Sequence, residues 1–245
     1  MIYVDDLGQK MPSSLEAFQQ SVLVPNESPD GAVLQALREH LTDMYKLYDS
    51  MQANFITLSA IDYINGCLLE EMPIIRNMPL SKAAHSWPYY LRAKTGISAA
   101  YAFMLFPKTS SYEMSVYIQA IEDMGFVMNF INDVLSYVFV VVVVASHKFT
   151  SDIRFSRFYK EFLAGETNNY VYNRAHVTGR SIPDTLQDIV DDTLAANARI
   201  MEILQSTDAL IPWKRFVNGM VCVCSYFIPF QFINRWILIG RFIFR

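Results

Sequence analysis

Proline fences this chain into helical lengths. Between Ser13 and about Leu210, apolar residues recur every three or four positions, and the runs are opened or stopped by proline. An α-helix turns once in about 3.6 residues, so that spacing gathers the apolar side chains on one face. Ser14-Leu15-Glu16-Ala17-Phe18 opens a short amphipathic segment that ends by Pro25, and Pro29-Asp30-Gly31 punctuates the next start. Ala32, Leu34, Leu37, Leu41, Met44, Tyr45 and Tyr48 form one stripe. Phe55, Leu58, Ile61, Asp62, Ile64 and Leu68 form a second that Pro73 stops, and Leu91, Ile97, Tyr101 and Leu105 a third that Pro107 stops. Ser110-Ser111-Tyr112-Glu113 reads as a capping signal for a fourth helix that continues past Asn132. Ser181-Ile182-Pro183-Asp184 starts another, running through Leu186, Ile189, Val190, Leu194 and Met201 to Leu204. The pattern predicts an all-α bundle in a single domain.

Two regions break the rhythm. Tyr137–Ala145 is a β-branched run without amphipathic period, which favours strand over helix. Met220–Phe244 is almost continuously apolar and aromatic, long enough to cross a bilayer, which takes about 20 residues. The valine run is too short to do so without dragging in Asn132 and Asp133.

Composition narrows the function classes. Apolar residues are 52% of the 245 and charged residues 18%, which is the make-up of a buried core and excludes disorder. The net charge of -4, with 20 scattered Lys and Arg, supplies no basic patch for a nucleic-acid backbone. Cys67, Cys222 and Cys224 form neither a disulfide framework nor a Cys-x-x-Cys pair, so no structural zinc and a reducing, cytoplasmic setting are expected. Met1–Lys10 lacks the basic start and apolar run of a signal peptide.

The most specific feature is Asn132-Asp133-Val134-Leu135-Ser136. Residues four apart on a helix project from one face, so Asn132 and Ser136 can offer two oxygens to one hard cation. A third oxygen ligand eight positions after the asparagine would again share that face, but position 140 is Val140. Downstream stands Phe158-Tyr159-Lys160-Glu161-Phe162, and removal of the 21 residues 138–158 would bring Glu161 into that eighth position.

With that register restored, Asn132 to Tyr137 followed by Tyr159-Lys160-Glu161-Phe162 resembles the magnesium motif of the trichodiene synthase family, fungal sesquiterpene cyclases of the class I terpenoid fold. The likeness extends to Tyr3-Val4-Asp5-Asp6, which resembles the aspartate-rich motif, and to Ile61-Asp62-Tyr63-Ile64-Asn65-Gly66-Cys67. Tyr90-Leu91-Arg92-Ala93-Lys94-Thr95-Gly96 and Phe106-Pro107-Lys108 carry it further, so that residues 3–137 and 159–218 are covered. The resemblance implies an all-α class I terpenoid synthase helical bundle, incomplete at the N-terminus, over residues 1–219, with 138–158 as an insertion and 220–245 as an aberrant apolar tail.

It also implies chemistry. Asp5 would supply a magnesium ligand from one rim of a pocket, Asn132, Ser136 and Glu161 would hold Mg2+ on the opposite rim, and Lys160 would contact the diphosphate of a prenyl substrate such as farnesyl diphosphate. Cations around a leaving diphosphate stabilise the charge that builds as the carbon–oxygen bond breaks. An aromatic, water-excluding pocket then steers the carbocation, and 17 Phe and 14 Tyr could furnish one. A homodimer is admitted. The aspartate-rich motif departs from the pattern, because Asp5-Asp6-Leu7-Gly8-Gln9 lacks a further acid. The insert, the apolar tail and the abrupt start before Asp5 fit one account, in which introns were retained and upstream exons missed.

Two rival readings stand beside this one: a catalytically inactive remnant of the same fold, and a small membrane protein anchored by Met220–Phe244. Blander roles exist for single residues too. Asn132 and Ser136 can be ordinary polar residues, and Asp5-Asp6 a solvated loop pair. Arg76, Arg92 and Lys94 read as solvated helix-face charges, His85 and His176 as surface or cap residues, and Cys222 and Cys224 as buried thiols.

Overall fold

The computed structural model describes residues 12–24, 31–146 and 169–226, with the backbone alone for 135–146 and 221–226. Among the described residues every regular element is helical. The α-helices are α1 (Pro12–Leu23), α2 (Ala32–Leu47), α3 (Ser50–Glu71), α4 (Pro73–Arg76), α5 (Trp87–Thr95), α6 (Ser98–Met104), α7 (Met114–Tyr117), α8 (Ile121–Ser146), α9 (Tyr170–Thr178), α10 (Ile182–Leu204) and α11 (Leu210–Tyr226). Short 3-10 turns cover Lys108–Ser110 and Ile118–Ala120. The all-α expectation is met, and the helices fall into two compact units divided after Glu113.

In the first unit α3 is the hub, packed by α1, α2, α5 and α6. Its buried face is Ala53, Ile56, Ala60, Ile61, Tyr63, Ile64 and Cys67, which keeps Ile61 and Ile64 of the predicted stripe but leaves Phe55 and Leu58 outside. Phe55 is 38% exposed and Leu58 61% exposed. The reason is that α3 is apolar over most of its circumference, so periodicity alone cannot say which arc meets the neighbours. Small residues decide it: a Cβ added at Gly66 would lie 2.8 Å from Lys94 Cβ and 2.9 Å from its carbonyl carbon, so α5 rests against a bare stretch of backbone.

The third predicted stripe is two helices. Gly96 ends α5, and Ile97 takes a left-handed backbone conformation at φ 49 before α6 begins. A non-glycine residue there is strained, and its buried side chain, 8% exposed, holds it in place. The fourth helix starts later than its capping signal, because the chain passes through α7 and a 3-10 turn before α8.

The second unit is built on the packing of α10 against α8, with α9 on α10 and α11 on α8. Ser181 caps α10 by accepting a bond from Asp184 N at 3.2 Å, with proline in the first turn, as the sequence predicted. Thr185, Ile189, Thr193, Ala196, Asn197, Ile200 and Leu204 then recur at three- and four-residue spacing as its buried stripe. Each fully buried Ile or Leu there contributes about 1.5–3 kcal/mol by leaving water. Trp213 of α11, 1% exposed, donates its indole N–H to Asn197 Oδ1 at 3.0 Å.

The valine run is helical, which corrects the expectation of strand. The backbone of α8 runs without a break from Ile121 to Ser146. Once the well-specified turns before Leu135 exist, each further residue adds one hydrogen bond, and a β-branched side chain costs only a few tenths of a kcal/mol (roughly 0.5) against that gain. No strand among the described residues offers the run a ladder to join. The backbone of α11 extends to Tyr226, so most of the apolar tail, residues 227–245, lies outside the described residues. Among the described residues no helix is long and apolar enough to cross a membrane.

Candidate metal centre

Asn132 and Ser136 stand one turn apart on the continuous backbone of α8, as the motif requires. Asn132 is exposed, while Ile131 and Val134 beside it are 7% exposed each, so the asparagine is on the outer edge of a helix whose other face is in the core. Ser136 is fixed by its backbone alone. Asp5, Lys160 and Glu161 lie outside the described residues. Of the five expected site residues, therefore, the described residues include Asn132 and Ser136, one turn apart on the backbone of α8. The oxygen donors of Asn and Ser suit a hard divalent cation. The same continuous helix puts Val140 two turns beyond Asn132, where it has no oxygen to give. Among the described residues no three His, Cys, Asp or Glu side chains are grouped to hold a metal ion.

Behind that turn lies a cluster that the motif did not reveal. Phe130, fully buried two residues before Asn132, meets the Tyr170 ring with centroids 4.4 Å apart. Tyr170 opens α9, whose start is capped by Asn169 Oδ1 accepting from Tyr172 N at 3.2 Å. Arg174, one turn along α9, donates from Nη1 to the Tyr170 hydroxyl at 3.1 Å and from Nη2 to Asp192 of α10 at 2.7 Å. Burial pushes the Tyr170 phenol above its ordinary value; the Arg174 guanidinium works against this, and the Asp192 and Asp133 carboxylates add to it. Burial would lower Arg174, but its bonds to Asp192 and Tyr170 prevail and hold it above the ordinary arginine value. The pairing of Tyr170 and Arg174 at four-residue spacing was legible on a helix. Asp192 is across a turn and 18 residues away, where no periodicity points to it.

In the first unit, two of the cations read as solvated, Lys94 and Arg76, are paired. Lys94 Nζ donates to both carboxylate oxygens of Asp62 at 2.7 and 2.8 Å and lies 5.3 Å from the centre of the Tyr90 ring, while Arg76 pairs with Glu71 at 2.9 Å. His85 and His176 are exposed, as expected. Cys67 is buried.

Comparison with known proteins extends the likeness along the chain. Residues 1–227 match the family model described as trichodiene synthase (TRI5). Terpene synthase BipA of Cochliobolus sativus is 30% identical over 223 residues, covering 90% of this chain and 62% of that protein. Monoterpene synthase 25 of Postia placenta is 31% identical over 208 residues, 84% of this chain and 55% of its own length. Longiborneol synthase CLM1 of Gibberella zeae is 30% identical over 192 residues, 78% and 50%. The chain thus spans between half and two thirds of these relatives. A helical bundle, an Asn-Asp-x-x-Ser turn on its longest helix and a family match over residues 1–227 agree: this chain belongs to the trichodiene synthase family.

Proposed function

We propose that this chain is a terpene cyclase, which ionises a prenyl diphosphate such as farnesyl diphosphate with Mg2+ and cyclises the resulting carbocation. The observation that carries the reading is the helical turn from Asn132 to Ser136 inside the stretch that matches the family. Asn132, Ser136, Glu161 and Asp5 would hold magnesium, which when bound supplies positive charge against the leaving diphosphate. Lys160 would contact the diphosphate directly. The exposed apolar face of α3 supports the reading as well. Met51 and Phe55 lie along it one turn apart, and Phe55 stacks flat on Phe103 of α6 with centroids 4.8 Å apart. Such a wall can lie against an isoprenoid chain without offering it a nucleophile. The cysteine usage supports a cytoplasmic setting, and the reading admits a homodimer.

A second reading is favoured by one specific observation: the helix continues past Ser136 and presents Val140 in the register of the third ligand. In that reading the chain is an inactive remnant of the fold. One experiment separates them. The chain as written and a version lacking residues 138–158 are each incubated with farnesyl diphosphate and Mg2+, and volatile hydrocarbons are analysed. Turnover by the full chain supports the first reading; turnover by the shortened version alone shows that the insert silences the site. No product from either, with both folded, sinks the cyclase reading and leaves the inactive remnant.

A further inference from the structure

The Asn132 turn is exposed on its outer side and supported on its inner side, and the support is specific. On an α-helix, residues two apart project about 200° from each other, so Phe130 points into the core where Asn132 points out. What Phe130 meets there is the face of Tyr170, at 4.4 Å between centroids. The Tyr170 ring is fixed in turn by Arg174, which reaches its hydroxyl at 3.1 Å while its other nitrogen is held by Asp192 at 2.7 Å. Three helices meet in this chain of contacts: α8 through Phe130, α9 through Tyr170 and Arg174, and α10 through Asp192.

A planar guanidinium suits the task, because its fork bonds two partners in fixed directions, which an ammonium does not. The Arg174 side chain is 21% exposed and Asp192 is 50% exposed, so the pair is half-shielded from solvent screening. A surface pair that joins α10 directly to α8 serves as the contrast. Arg199 of α10 binds Asp123 of α8 at 2.5 and 2.9 Å, in the first turn of α8 and nine residues before Asn132.

We propose that Arg174 is a positioning residue for the metal turn: through Tyr170 and Phe130 it sets the angle at which α8 presents Asn132 and Ser136 to a divalent cation bound with a diphosphate. The proposal rests on the magnesium reading above. Groups that orient ligands without touching the metal commonly carry about 10- to 100-fold in metal affinity.

The test uses the full chain, with Mg2+ and inorganic pyrophosphate as the probe, followed by calorimetric titration. Arg174→Met should weaken binding about 10-fold or more, Arg174→Lys should recover part of the loss, and Arg199→Met should bind as the unaltered chain does. Melting without ligand, followed by far-ultraviolet dichroism, controls for folding. If Arg174→Met does not fold, Asp192→Asn keeps the guanidinium and the ring while removing their anchor, and should weaken binding in the same direction. Unchanged affinity in whichever of the two is folded overturns the proposal alone. Equal losses for Arg174→Met and Arg199→Met also overturn it, since general destabilisation would then explain both. An unaltered chain that shows no magnesium-dependent pyrophosphate binding overturns the magnesium reading, and the proposal with it.

Discussion

The two units are fastened differently. In the first, side chains that pair with one another, as Lys94 does with Asp62, are joined by side chains that reach backbone carbonyls: Tyr48 to Met104 O at 3.2 Å, Gln52 to Phe106 O at 2.8 Å, and Lys108 to Tyr45 O at 3.0 Å. In the second the long-range polar bonds run between side chains: Arg174 to Asp192, Arg199 to Asp123, and Trp213 to Asn197. Helix length explains the contrast. α5 and α6 have 9 and 7 residues, and a helix leaves its last carbonyls without internal partners, so short helices and their turns present many orphan acceptors. α8 and α10 have 26 and 23 residues and satisfy nearly all of their own backbone, so their cross-links must come from side chains.

If that contrast is right, the first unit is most sensitive where backbones approach. Gly66→Leu, which drives a side chain into the carbonyl carbon of Lys94 at 2.9 Å, should cost on the order of 3 kcal/mol in chemical denaturation. A loss below about 1 kcal/mol would show that α5 can shift freely and that the close approach is incidental.

The hydrogen bonds themselves give a sharper comparison. Gln52 accepts from Asp49 N at 3.3 Å and donates to Phe106 O, and it is 3% exposed. Gln52→Leu should therefore cost about 1–3 kcal/mol, and no second side-chain change can relieve it, because the stranded partners are backbone. Asn197→Leu should cost a similar amount by stranding the Trp213 indole N–H, but here a cycle with Trp213→Phe should show coupling of about 1 kcal/mol. Absence of coupling would mean that the bond to Asn197 is not what secures Trp213.

Ion pairs at the surface should matter less. Lys94→Met leaves Asp62, whose side chain is 40% exposed, in contact with water, so its cost should stay below about 1 kcal/mol despite the two-oxygen geometry. A larger loss, seen in the same denaturation series, would mean that the pair is more shielded than its exposure suggests.

Alkaline pH probes one buried tyrosine in each unit. Burial raises the phenols of Tyr48 and Tyr170 above the unfolded value of 10.0, so the folded chain holds their protons more tightly. Their contribution is complete below pH 10.0 and is lost as pH rises from there through the raised native values. Tyr48→Phe and Tyr170→Phe should each flatten the fall of the melting temperature above that pH; an unchanged slope in either would show that the tyrosine titrates as if exposed.

Legibility followed the kind of signal. Helix starts that depend on neighbours in sequence were readable, as at Ser181-Ile182-Pro183-Asp184, where the cap and the proline act within one turn. The face of α3 was not, because nearly every arc of that helix is apolar and only Ala53, Ala60 and Gly66 reveal where others come close. The break at Gly96–Ile97 was hidden for a related reason: Ile97 continues the stripe, and its left-handed conformation is imposed by burial rather than by its own preference. At the candidate site, Asn132 and Ser136 could be paired by counting, whereas Phe130, Tyr170, Arg174 and Asp192 come from three helices and share no spacing.

The sequence by itself determined that the chain is helical, where α2 and α10 begin, where α3 and α10 end, and which motif residues share a turn of α8, since all of these depend on interactions within about four residues. Only the tertiary structure decided which face of α3 is inside, that the valine run extends a helix already formed, and what stands behind the Asn132 turn. Those outcomes depend on which distant surfaces compete for the same apolar area, and a local pattern carries no record of that competition.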